Sequence, residues 1–159
     1  MSGSPMIVSA LILVVSGLLL LFWLRLACRS ILAEGAGQEY GVGVAEANQL
    51  QYLELRRALT EEAEGRADYG AVLRALDWDY KALTYLLRNA ATLHLGRHSH
   101  AERLLILDFH LLRLWVRVMR LLGWEDLRGR VLEMVAILEY FGNVVGHRLV
   151  TFPPRLPAS

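Results

Sequence analysis

The chain has one cysteine, Cys28. No intramolecular disulfide can form, so the fold must rest on packing, and the sequence carries no mark of a redox compartment. Four prolines are present and three of them fall in the last seven residues, which leaves the body of the chain free to be helical. Lysine is almost missing: sixteen of the seventeen basic residues are arginine. Compositional bias alone produces that excess, so it does not argue for nucleic acid. There is no Asn-x-Ser/Thr sequon.

Catalytic signatures are missing as well. No Cys-x-x-Cys-His marks a haem, and no Gly-rich loop ending in Lys-Ser/Thr marks a phosphate site. Gly-x-Ser-x-Gly and His-Glu-x-x-His do not occur, which removes the common hydrolase and metalloprotease patterns. The paired Glu-x-x-His of di-iron bundles is missing too. The expectation is a protein that is not an enzyme and holds no cofactor.

What the sequence does contain begins with an apolar run. Met6 to Leu24 is nineteen residues without a charge. As a helix it covers about 28 Å, close to the hydrocarbon thickness of a bilayer. Ser9, Ser16 and Gly17 are tolerated there, since small residues are common in spans. Trp23 falls where an interfacial aromatic belongs, and Arg25 and Arg29 follow at once. No basic residue precedes the run, and no Ala-x-Ala site follows it, so it reads as a retained anchor rather than a cleaved signal. The basic flank on its C-terminal side predicts an N-terminus facing out and residues 25–159 facing the cytoplasm. Cys28 is expected at headgroup level, as an inert thiol in preference to a lipidated one.

After the anchor and its flank (1–30), residues 31–43 carry four glycines and read as a flexible linker. Residues 44–150 read as one helical domain, large enough to bury a core unaided. A first helix is expected over 44–63. A second starts at Asp68, a good N-cap, with Leu73, Leu76, Tyr80, Leu83 and Leu87 at 3-4 spacing. Asp77 offers an alternative cap, so a break near Leu76–Asp77 is also open. Ser99 and Glu102 fit a capping box for a third helix that ends at Gly123. Its apolar face takes in Leu104, Leu105, Leu111, Leu112, Trp115, Val118, Met119 and Leu122. A fourth runs from Asp126 with Gly146 as its stop. There Gly142-x-x-x-Gly146 suggests close packing in preference to a dimer motif. Residues 151–159 form a Pro-rich extended tail. The predicted fold class is all-α: a single N-terminal transmembrane helix plus a small antiparallel bundle of three to four helices, since short joints force antiparallel neighbours.

Charge is divided along the chain. Residues 31–79 hold ten acids and four bases, whereas residues 80–159 hold six acids and eleven bases. Mutual attraction within one fold is the plainer reading; separate acidic and basic surfaces are the alternative. Arg103, His110, Arg113, Arg117 and Arg120 form a basic stripe on the third helix. It is expected either to pair with the acidic first helix or to meet anionic lipid or an acidic partner. Nucleic acid is not expected, because no base-reading motif is present.

Two further candidates have a plain reading and a sharp one. His94, His98 and His100 cluster at a turn; the plain reading is a polar turn, the sharp one a metal site. Asp108 shares a stripe with Leu104, Leu111, Trp115 and Val118. A lone buried carboxylate is costly, so a partner such as Arg88 or a Tyr hydroxyl is expected, or else a proton-handling or ligand role. The overall expectation is a membrane-anchored accessory or scaffold subunit that binds partner membrane proteins through its helical domain. The alternatives are a ligand- or metal-binding bundle and a self-assembling, membrane-tethered homo-oligomer.

Overall fold

A computed structural model of the chain describes residues 4–35, 40–61, 68–93, 99–124 and 127–151. All elements among them are helices: α1 (Ser4–Gly35), α2 (Tyr40–Ala47), α3 (Tyr52–Glu61), α4 (Tyr69–Leu93), α5 (His100–Leu121) and α6 (Arg128–Thr151). Residues 152–159, the predicted tail beyond Thr151, lie outside the described residues, and Thr151 itself ends α6.

Several of the helix ends have a chemical cause. Asp68 Oδ1 accepts from the Gly70 amide at 2.9 Å and starts α4, which then runs through Leu76–Asp77 without a break. Ser99 caps α5, but its hydroxyl accepts from the Ala101 amide, not from that of Glu102. Glu102 is buried, and its carboxylate pairs with Arg148 of α6. At the far end of α5, Gly123 takes φ +75. The Trp124 amide donates to Met119 O and the Gly123 amide to Arg120 O, which is the paired pattern of a Schellman cap.

The expected 44–63 helix is two helices. The Leu50 amide donates to Ala45 O at 2.9 Å, the Gln49 amide to Glu46 O at 3.3 Å, and Gln49 sits at φ 52. That is a second Schellman cap, made without glycine, so composition did not reveal it. Asp79 of α4 then restarts the chain: its Oδ2 accepts from the Gln51 amide at 2.9 Å, at the head of α3.

Of the linker expected at 31–43, residues 31–35 and 40–43 are helical. α1 continues to Gly35 and α2 already begins at Tyr40; residues 36–39 are outside the described set. One of the two glycines of α2 serves packing. Gly41 is buried, and its amide donates to Asn143 Oδ1 at 2.6 Å. Opposite it, Gly142 makes room for the Tyr52 hydroxyl, which donates to Gly41 O at 3.1 Å. A Cβ at Gly142 would lie 2.6 Å from that hydroxyl, and one at Gly146 would lie 2.7 Å from Tyr40 O. Gly146 therefore does not stop α6 as expected. It lets α2 cross α6 at close range, and α6 runs five residues further.

α6 is the centre of the fold, in contact with α1, α2, α3, α4 and α5. Its buried set, including Val131, Met134, Val135, Ile137, Leu138, Phe141 and Val145, spans most of its circumference. A helix surrounded by neighbours must be apolar nearly all round. α5 contributes Leu105, Phe109, Leu112 and Val116 at 3-4 spacing, and α4 contributes Leu73, Leu76, Leu83 and Leu87.

Candidate functional site at the junction of α1 and the bundle

α1 has two parts with different surroundings. From Met6 to Trp23 its apolar side chains are exposed, among them Leu13, Leu20, Phe22 and Trp23. It is the one helix among the described residues that is long and apolar enough to cross a membrane. Beyond Trp23 the same helix packs on the bundle. Leu24, Ile31 and Leu32 lie against the core, and Cys28 is 1% exposed. These positions share one helical face. The Cys28 thiol, expected at headgroup level, is covered by α5 and donates to Leu104 O at 3.8 Å.

A cluster of charges closes this junction. Arg25 donates from Nη1 to Asp108 Oδ1 at 3.3 Å and from Nη2 to Glu133 Oε2 at 2.5 Å. Arg29 donates to Glu133 Oε1 at 2.8 Å, and Arg130 reaches both Glu133 oxygens at 3.3 Å. The partner of Asp108 is therefore Arg25, neither Arg88 nor a tyrosine. The arginines read as a membrane flank are also the clasp between α1, α5 and α6. Asp108 is 4% exposed, and burial pushes its pKa up, with the charge of Arg25 opposing. Burial pulls Glu133 the same way, but the hydrogen bond of Arg29 and the charges of Arg25 and Arg130 outweigh it and hold its pKa below the usual value.

The direction of α1 follows from these contacts. As α1 advances from Arg25 to Cys28, its contacts on α5 step back from Asp108 to Leu104. The two helices run in opposite senses here. The exposed apolar part of α1 thus leaves the bundle toward the C-terminal end of α5.

The basic stripe is divided, and its partner is on α4. Arg113 Nη2 lies 2.5 Å from Asp77 Oδ2, and Arg117 lies 3.6 Å from the same oxygen. Arg117 and Arg120 line an open cleft with Gly70, Arg74 and Asp77. His110 Nε2 lies 3.2 Å from the Tyr80 hydroxyl, and Tyr80 stacks on Phe109 at 4.3 Å between centroids. Arg103 is exposed near the start of α5. The acidic stretch expected to face this stripe lies elsewhere: α3 packs on α4 and α6, with Arg56 paired to Glu139 and Arg128 donating to Thr60 O.

His94 and His98 lie outside the described residues, while His100 is exposed at the first position of α5. Among the described residues no three His, Cys, Asp or Glu side chains converge on a point that could hold a metal.

Sequence reasoning missed two features. One is Asp79, fully buried, whose pKa burial raises against the opposing hydrogen bonds from the Gln51 and Tyr52 amides. Its position after Asp77 and Trp78 gives no signal of that role. The other is the division of the α5 apolar face. Leu114, Trp115, Val118, Leu121 and Leu122 are exposed, not buried with Leu105 and Leu112. Comparison with known proteins finds no matching family model, no similar curated protein and no similar solved structure.

Proposed function

We propose that this protein is a single-pass membrane-anchored accessory or scaffold subunit without catalytic activity, which presents its helical domain to partner membrane proteins. In this reading α1 crosses the bilayer over Met6–Leu24, and α4, α5 and α6 form the antiparallel body of the domain. The supporting observation is that the apolar helix continues unbroken into the core and is clasped there by Arg25, Asp108 and Glu133. A tether that only concentrates a domain at a surface needs a loose linker. A helix that becomes part of the core fixes the domain's orientation to the membrane, which suits docking against a partner with its own fixed orientation. Ion pairs at Arg25 and Arg29 do not weaken the topological argument, because acids contribute little to the positive-inside bias. In this reading the domain lies on the cytoplasmic side.

The test has two arms. Full-length protein should resist alkaline extraction from membranes, and a tag after Ser159 should be reached by protease only when the cytoplasmic face is open. Gentle-detergent purification should then recover an integral membrane protein in fixed proportion. Release by alkali would refute the anchor, and a lone monomer in every mild detergent would refute the subunit role.

A further inference from the structure

α5 has two apolar stripes. One is the core stripe of Leu105, Phe109, Leu112 and Val116. The other consists of Leu114, Trp115, Val118, Leu121 and Leu122, and Trp124 in the following turn extends it. The exposure is large: Leu121 is 85% open, Leu122 65% and Trp124 63%. A contiguous apolar surface of this kind is uncommon on a domain surrounded by water.

Its position identifies what covers it. The spacing Leu104, Asp108, Leu111, Trp115, Leu122 is one face of α5. The first two of these carry the contacts to Cys28 and Arg25. The exposed stripe therefore continues the α1-docking face, on the side toward which the apolar part of α1 departs. α5 runs on for 13 residues past Asp108, about 20 Å of axis. On α1, Arg25 is the residue at that level, and the uncharged run begins at Leu24. If α1 spans a bilayer, the membrane surface lies just beyond Arg25, and the C-terminal half of α5 rises toward it. Two tryptophans at that end are the side chains expected at a lipid interface. Arg117, beside Leu121 on the α4 edge of the stripe, adds a cation suited to anionic headgroups.

We propose that the C-terminal half of α5, with the turn through Trp124, is a second membrane contact. Its outward apolar stripe sits in the headgroup and upper acyl region of the leaflet on the domain side. The occupant is phospholipid, not a protein partner. This rests on the reading of α1 as a span, and the experiment separates the two.

Full-length protein is reconstituted into vesicles of phosphatidylcholine and phosphatidylglycerol, with acyl chains brominated near the headgroup end. One variant keeps only Trp23 (Trp78→Phe, Trp115→Phe, Trp124→Phe); another keeps only Trp115 and Trp124 (Trp23→Phe, Trp78→Phe). All replaced side chains are exposed, and circular dichroism verifies that each variant keeps its helices. The expected result is bromine quenching of Trp115 and Trp124 comparable with that of Trp23. Quenching of Trp23 alone overturns the second contact and leaves the span intact. Quenching of neither overturns the span, and this proposal with it. Unquenched but blue-shifted Trp115 and Trp124, with twice the monomer mass, would show that a second copy covers the stripe and would also overturn the proposal.

Discussion

Replacing Arg25 with glutamine should undock α1 in a way that Asp108 can repair. The substitution keeps most of the side-chain length but removes the only cation within 4 Å of Asp108 among the described residues. Glu133 loses less, because Arg29 at 2.8 Å and Arg130 at 3.3 Å remain. Breaking a fully buried ion pair by deleting one partner costs about 3–5 kcal/mol. Two facts lower that figure here. Arg25 keeps a quarter of its side-chain surface in solvent, and Asp108 can take up a proton, which limits the cost to about 1.4 kcal/mol for each pH unit above its raised pKa. An expected loss of about 2 kcal/mol near neutral pH follows.

Cys28 reports this loss directly, as the single thiol of the chain and 1% exposed beneath α5. If alkylation requires α1 to lift away, a 2 kcal/mol loss should raise the rate of maleimide labelling about 30-fold in full-length protein in detergent. Melting should fall by roughly 6 °C. Adding Asp108→Asn to Arg25→Gln removes the stranded carboxylate, and should recover about half of both effects. A double variant that labels as fast as Arg25→Gln alone would show that the pair does not couple α1 to the bundle, and the reasoning from burial would fail.

Gly146→Ala gains about 1 kcal/mol of helix propensity, but its Cβ would meet Tyr40 O at 2.7 Å, and overpacking of this kind costs about 1–3 kcal/mol. Chemical denaturation should show net destabilisation, with an unchanged or raised midpoint refuting the close crossing of α2. The pH dependence has a definite sign. Asp79 and Asp108 have folded pKa values above the ordinary 3.8, so the folded state binds more protons and their contribution to stability falls as pH rises through that window. Glu133 is held below 4.5, and the stability it contributes is lost as pH falls through its folded pKa. Replacing Asp79 with Asn should therefore flatten the pH dependence of melting above the ordinary carboxyl range, and an unchanged curve would refute the burial argument. Zinc titration tests the histidine cluster: an unchanged melting temperature would refute a metal site at His94, His98 and His100, and a rise of several degrees would support one.

Much of the fold was legible because its signals are local. The uncharged run in α1, the Asp68 and Ser99 caps and Gly123 at the end of α5 are each set by a few neighbouring residues. What was not legible depends on residues far apart in sequence. Gly146 resembles a helix stop until Tyr40 is known to lie across it. Gln49 has no glycine to betray its φ of 52. Asp108 looked for a base within the domain, whereas its partner is 83 positions away in α1. In each case a long-range contact overrides the ordinary local reading of the residue.

The face of α5 shows why the candidate site itself was only half legible. Leu104, Leu105, Leu111, Leu112, Trp115, Val118, Met119 and Leu122 form one broad apolar face, and Phe109, Leu114, Val116 and Leu121 widen it to well over half of the helix circumference. Periodicity shows that such a helix is apolar, but it does not assign which seam faces the bundle. α5 needs only the seam through Leu105, Phe109, Leu112 and Val116 to close the core. The apolar residues left over are concentrated toward one end, the end toward which α1 leaves the bundle. An amphipathic helix that packed only against α6 would have a polar outer face there, as Arg113 and Arg117 provide toward α4. The surplus is thus the trace of a second surface that α5 must satisfy, and under the proposal that α1 spans a membrane that surface is the bilayer.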